Sequence, residues 1–211
     1  KKGRKAFIAY ITAGDPTLED TEALVREFAG RGVDIVELGV PFSDPIADGP
    51  VNQEAAQRAL VNDVSVGDIL EMVKTLRKDC DLPIVFFAYF NTILAFGIEE
   101  FARKAHECGV DGVLVLDLPP EEAKYYKSLM DARDIATIFL VSPVTPDDRL
   151  PLIVLQATGF VYYVSQMGVT GMRDRMDERI PAMVEKIRRL TATPVAVGFG
   201  VSTPAAAAGW I

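Results

Sequence analysis

The chain has 211 residues, 49% of them hydrophobic and 25% charged, with a net charge of −8, which suits one sizeable globular domain with its own core. Acidic and basic residues are interspersed, so the basic patch of a nucleic-acid binder is excluded, and no apolar run reaches the ~20 residues of a membrane span. Two cysteines and a single histidine, His106, without metal-ligand spacing exclude a disulfide framework and a catalytic zinc site, and leave a Ser-His-Asp triad little material. Thiol usage of this kind points to a reducing compartment.

In chain order, the basic start Lys1–Ala6 is followed by too short an apolar stretch for a signal peptide. Ala6–Ala13 reads instead as a buried strand closed by Gly14-Asp-Pro16. Thr17 can cap the next helix, whose apolar positions are Ala23, Leu24, Phe28 and Ala29 and which Gly30 and Gly32 end. Asp34–Val40 is the second strand, Gln53–Leu60 a helix, and Val66–Leu76 a second helix capped by Ser65. Pro83–Tyr89 is strand three, Ile98–Cys108 a helix, and Gly112–Leu118 strand four. Pro119-Pro120 opens a helix to Ala132. Ala136–Ser142 is strand five, with Pro146 opening a helix to about Leu155. Phe160–Ser165 is strand six, Ile180–Leu190 a helix, Pro194–Gly200 strand seven, and Thr203–Ala208 the start of a last helix.

Apolar strands alternating with helices, without a linker, imply a parallel sheet covered by helices. Seven such units predict an α/β chain of the (β/α)8 TIM-barrel class, a single domain over residues 1–211, with the eighth strand and the extreme N-terminus missing from the sequence. A doubly wound open sheet is the alternative, weakened because no G-x-G-x-x-G follows the first strand.

In a barrel of this kind the site lies at the C-terminal ends of the strands. The stretch that carries most chemistry is Glu37 on strand two, followed by Asp44 and Asp48 in a loop stiffened by Pro41, Pro45 and Pro50. A carboxyl inside a strand and a second in a polar loop can serve as acid and base near neutral pH. The plainer reading is a bonded interior glutamate with two turn-forming aspartates. Thr12, Asp15, Tyr89, Asn91, Asp117, Ser142, Tyr162, Tyr163 and Ser165 also stand at strand ends. No strand contains a lysine, so a Schiff-base route lacks its nucleophile. Gly168-Val-Thr-Gly171 and Gly198-Phe-Gly200 follow strands six and seven, where barrels bind phosphate through backbone N–H groups. Their glycine-rich composition offers few apolar anchors, as does that of the carboxylate loop, which suits lids closing over a substrate. Thr170 is placed to hydrogen-bond Asp48 on closure.

Five runs together resemble one family, the alpha subunit of tryptophan synthase: Ala6-Phe-Ile-Ala-Tyr-Ile-Thr-Ala-Gly-Asp-Pro16, Glu37-Leu-Gly-Val-Pro-Phe-Ser-Asp-Pro-Ile-Ala-Asp-Gly-Pro50, Asp117-Leu-Pro-Pro-Glu-Glu122, Tyr162-Tyr-Val-Ser165 with Gly168-Val-Thr-Gly171, and Gly198-Phe-Gly-Val201. The resemblance spans nearly the whole chain. It implies a barrel lyase that cleaves indole-3-glycerol phosphate into indole and glyceraldehyde 3-phosphate, in the cytoplasm or, in a plant, the plastid. It implies a beta subunit as partner in an α2β2 assembly, with pyridoxal phosphate held by that partner and no cofactor or metal in this chain. The family's catalytic residues fall on Glu37, Asp48 and Tyr162. Its phosphate-binding glycines fall on Gly171 and Gly200, with Thr170 and Phe199 beside them as substrate-binding residues and Asp44 holding loop geometry. Two departures stand out: Gln166-Met167 replaces an arginine and a small residue, and the Gly-Ser after strand eight has no counterpart. A phosphosugar isomerase, a stand-alone indole-releasing lyase, and a weakly catalytic subunit that mainly activates its partner are the competing readings.

Overall fold

The computed structural model describes residues 5–164 and 180–198. They divide between two compact units, Lys1–Ala136 and Thr137–Ile211.

The first unit begins with β1 (Ile8–Thr12), α1 (Leu18–Arg31), β2 (Ile35–Gly39), α2 (Pro50–Val61) and α3 (Val66–Leu76). It continues with β3 (Ile84–Ala88), α4 (Phe90–Phe96), α5 (Ile98–Cys108), β4 (Gly112–Val115) and α6 (Lys124–Asp131). Strands β1 to β4 pair in sequence order, all parallel. Local chemistry sets the helix ends. The Thr17 side chain accepts from the Asp20 N–H, and Ser65 and Asp68 form a reciprocal capping box. Pro50 occupies the first turn of α2, where its missing N–H costs nothing. Gly32, at φ 83°, ends α1 in the left-handed region.

At the N-terminal ends of the strands the charges are tied down. Asp111 accepts from the Ile84 N–H at 2.7 Å and from Arg77 at 2.5 Å. The rest of the Arg77 guanidinium donates to the carbonyls of Gly109, Cys80 and Leu82 at 2.8, 3.0 and 2.8 Å. Asp34 accepts from the Phe7 N–H at 2.9 Å.

The second unit carries β5 (Ala136–Val141), α7 (Leu150–Gln156), β6 (Val161–Val164), α8 (Ile180–Leu190) and β7 (Val195–Gly198). Strands β5, β6 and β7 are again parallel and in sequence order.

The strand order matches expectation, and several boundaries move for identifiable reasons. The helix expected from Pro119 starts only at Lys124, because Pro119 and Pro120 accept i→i+3 turn bonds from Glu122 and Ala123 instead. The helix expected from Pro146 starts at Leu150. Pro151 has no N–H and fits only a first turn, so a helix running through it from Pro146 is excluded. Helix α4 was not anticipated: it is short, and its N-terminal N–H at Phe90 is satisfied by Asp117, 27 residues away. On α1 the inward face is Thr21 and Val25, whereas Ala23, Leu24 and Ala29 are exposed. Thr21 fixes that rotation by donating to the Thr17 carbonyl and accepting from the Gly14 N–H, both at 2.9 Å. His106 lies exposed near the end of α5, as expected of a helix-surface residue.

Candidate active site

Parallel register puts directly paired residues on the same face of a sheet, and alternation keeps i and i+2 together. Tyr10 pairs with Glu37 and Thr12 with Gly39; Glu37 pairs in turn with Val85, and Gly39 with Phe87. One face of the first sheet therefore shows Tyr10, Thr12, Glu37, Gly39, Val85 and Phe87. On that largely apolar and aromatic surface Glu37 is the one carboxylate, 3% exposed, and its Oε1 has no hydrogen-bond partner among the described residues. Burial alone pushes its carboxyl up to about 8. A group so placed carries its proton at neutral pH and can donate it.

Asp48 reaches the site from the loop between β2 and α2. It is 8% exposed, and its Oδ2 accepts the Tyr89 hydroxyl at 2.8 Å. The same hydroxyl accepts from the Ala47 N–H at 2.9 Å, and the Tyr89 ring packs on Phe42 with centroids 5.1 Å apart. Burial first, and the bond to Asp48 second, raise the Tyr89 phenol well above its ordinary range, so it stays a donor. Gln53 donates to the Asp48 carbonyl at 2.9 Å, and the Asp48 N–H bonds the Pro45 carbonyl at 3.0 Å. The loop is held chiefly by these hydrogen bonds, with the Phe42–Tyr89 ring contact as an apolar anchor and Ile46 exposed. Asp44, by contrast, is exposed, accepts from the Ser43 hydroxyl at 2.6 Å, and offers its carbonyl to the Ile46 N–H at 2.8 Å.

In the sequence Tyr10 is only one residue of an apolar strand, yet the structure puts it in this group. Its hydroxyl lies over Gly39, where an added Cβ would come within 2.2 Å of it. Its ring crosses the space that glycine leaves and meets Phe87 edge-on at 5.3 Å. Tyr89 stood among the strand-end polar residues without a role. The signal that would have found Tyr10 is register: it is the residue directly beside Glu37.

In the second unit Tyr162 and Tyr163 are buried on opposite faces of β6. Tyr162 repeats the arrangement of Tyr10. A Cβ on Gly198 would lie within 1.9 Å of its hydroxyl, and Gly198 pairs with Val164, two residues beyond the tyrosine. Thr170, Gly171, Phe199 and Gly200, with the loop 168–171 and Gln166-Met167, lie outside the described residues.

The family model for the tryptophan synthase alpha chain matches residues 1–210. A tryptophan synthase alpha chain from Geobacter sulfurreducens is 50% identical over 205 residues, covering 97% of this chain and 78% of that relative. The one from Opitutus terrae is 48% identical over 201 residues, covering 95% of this chain and 76% of its own length. A solved structure of the tryptophan synthase α2β2 complex from Pyrococcus furiosus superposes with a TM-score of 0.89 at 37% identity, covering 97% of this chain and 82% of that one. A structure from Aquifex aeolicus gives 0.89 at 40% identity, covering 98% and 79%. The fold is theirs, the TIM barrel, and the chain belongs to the tryptophan synthase alpha chain family.

Proposed function

We propose that Glu37 is the general acid, and Asp48 the charge-stabilising carboxylate, with which this chain cleaves indole-3-glycerol phosphate. The reaction is that of the family: a lyase half-reaction giving indole and glyceraldehyde 3-phosphate, in tryptophan biosynthesis. The partner is the beta subunit, in an α2β2 assembly. What remains to be assigned is which residues do the work.

Breaking the bond between indole C3 and the glycerol chain requires C3 to gain a proton. Glu37 supports the acid role because burial keeps it protonated up to about 8 on an aromatic face that suits an indole ring. As C3 is protonated, positive charge develops towards the indole nitrogen. Asp48, held by Tyr89, can accept that N–H and balance the charge. The C3–carbon bond then breaks while the hydroxyl on the departing carbon loses its proton and becomes the aldehyde. Glu37, now a carboxylate, accepts that proton and is restored. Tyr162 is proposed as a further catalytic residue, and Asp44 as the residue that holds loop geometry. Thr170, Gly171, Phe199 and Gly200 take the substrate, the glycines binding its phosphate through backbone N–H groups, remote from the scissile bond, where binding supplies positioning. No cofactor is needed in this chain, pyridoxal phosphate belonging to the beta subunit. Buried, unpaired Cys80 and Cys108 accord with a reducing compartment, the cytoplasm or a plastid.

The observation that carries this assignment is the buried Glu37 carboxyl, in register with Tyr10 and with an oxygen that has no partner among the described residues. Indole release by the Glu37→Gln and Asp48→Asn variants, measured with and without the beta subunit, tests it. Each should lose about 10²–10⁴ in turnover with the fold retained. Turnover by Glu37→Gln within about tenfold of the parent would remove Glu37 from the acid role.

A further inference from the structure

The sheet leaves room for the Tyr10 hydroxyl over Gly39. Tyr10 and Glu37 are register partners on adjacent strands, which lie ~4.8 Å apart. From there the tyrosine leans towards the strand ends, over the one position on β2, Gly39, that leaves room for it. Its ring is braced against Phe87. The hydroxyl contacts Thr12 Oγ1 at 3.4 Å, a long and weak bond for two hydroxyls. Register sets Glu37 next to Tyr10 on the neighbouring strand, its carboxyl buried and with an oxygen unpartnered among the described residues.

That unpartnered oxygen is tolerable while Glu37 carries its proton. Once the proton has moved to the substrate, a bare carboxylate is left in an apolar surround, which is costly unless a donor reaches it. Tyr10 is suited to be that donor. Burial, with smaller contributions from the charges of Asp48 and Glu37, pushes its phenol up to about 12, so it holds its hydrogen throughout the neutral range. The other tyrosine of this end, Tyr89, already donates to Asp48.

We propose that Tyr10 is a positioning residue of the reaction: its hydroxyl turns from Thr12 to donate a hydrogen bond to the Glu37 carboxylate after proton transfer. It thereby stabilises the intermediate state from which Glu37 takes back a proton. Gly39 is the residue that makes this possible, since any side chain there would displace the hydroxyl. The inference rests on the assignment of Glu37 as the acid.

The test is steady-state cleavage of indole-3-glycerol phosphate by the chain with its beta subunit, comparing Tyr10→Phe with the parent. The ring and its contact with Phe87 survive that change, so substrate binding and melting temperature should hold. The expected result is a fall in kcat of about tenfold, the lower range for a bond to a charged group, with KM within about twofold. Gly39→Ala, which puts a methyl where the hydroxyl sits, should lower kcat likewise, and the double variant should be no worse than the poorer single one. If Gly39→Ala does not fold, Tyr10→Phe decides alone. An unchanged kcat in Tyr10→Phe, or a raised KM at constant kcat, overturns the inference. When that happens while Glu37→Gln is inactive, the role of Tyr10 alone fails. If Glu37→Gln is active, the acid assignment itself has failed.

Discussion

The two ends of strands β2 to β4 treat charge in opposite ways. At the N-terminal end, the Arg77 guanidinium serves three carbonyls and the Asp111 carboxylate, Asp111 also takes the Ile84 N–H of β3, and Asp34 takes the N–H of Phe7 just before β1. At the C-terminal end, Glu37 is buried with an oxygen that no described group bonds. The chemistry of the side chains is the same; what differs is whether partners were supplied. Paired charge at one end fixes the strands in register, and that rigidity lets the other end keep a carboxyl in a surround that disfavours its ionisation. A carboxyl held that way is a better acid catalyst than a satisfied one, because its proton is available near neutral pH.

Mutations at the two ends should have exchanged consequences. Arg77→Ala leaves three carbonyls without their side-chain donor and Asp111 with only the Ile84 N–H, and should cost about 2–4 kcal/mol in denaturant unfolding. Its kcat per folded molecule should stay at the parent's value. Glu37→Gln should do the reverse, losing turnover without losing stability. If Arg77→Ala lowered kcat as steeply as stability, the two ends would not be separable.

A smaller effect is expected where the C-terminal end does use a partner. Tyr89→Phe removes the donor to Asp48 and the acceptor for the Ala47 N–H. Turnover should fall by about tenfold, consistent with one bond to a charged group. The melting temperature should fall slightly, since the Phe42 ring contact survives. A Tyr89→Phe enzyme with unchanged kcat would show that the loop holds Asp48 without it.

Much of this architecture was legible in the sequence because strand, turn and cap signals are local. Among the described residues each of the seven apolar runs contains a strand, and Thr17 and Ser65 cap helices as their spacing suggests. Glu37 and Asp48 were legible because a carboxylate in an apolar strand, or in a proline-stiffened loop, is out of place unless used. Helix α4 was not legible, since Asp117, which satisfies its first N–H, arrives from a distant strand end. Tyr10 was hidden for the same kind of reason. Nothing within β1 distinguishes it from a core tyrosine; its meaning comes from β2 lying alongside, with a glutamate beside it and a glycine under its hydroxyl. The face of α1 was misjudged because a threonine with two hydrogen bonds, not the nearby alanines and leucine, turned inward.

The subtlest consequence of burying Glu37 is a pH dependence of stability, and its sign follows from the direction of the shift. The carboxyl titrates near 4.5 in an unfolded chain and is raised to about 8 by burial. Below 4.5 both states hold the proton, and the group costs the fold nothing electrostatically. As pH rises above that, the unfolded chain releases the proton while the folded chain keeps it, so folding becomes progressively less favourable. The loss ends once pH passes about 8, where the folded state ionises as well. Glu37→Gln has no such proton to keep. In parallel unfolding experiments across this range, the variant should gain on the parent steadily between 4.5 and 8 and hold a constant lead above. Arg77 and Asp111 are present in both proteins, so their contribution cancels in the difference. A lead that does not change with pH would mean that Glu37 finds a partner in solution, and the contrast between the two ends of the sheet would then be one of degree only.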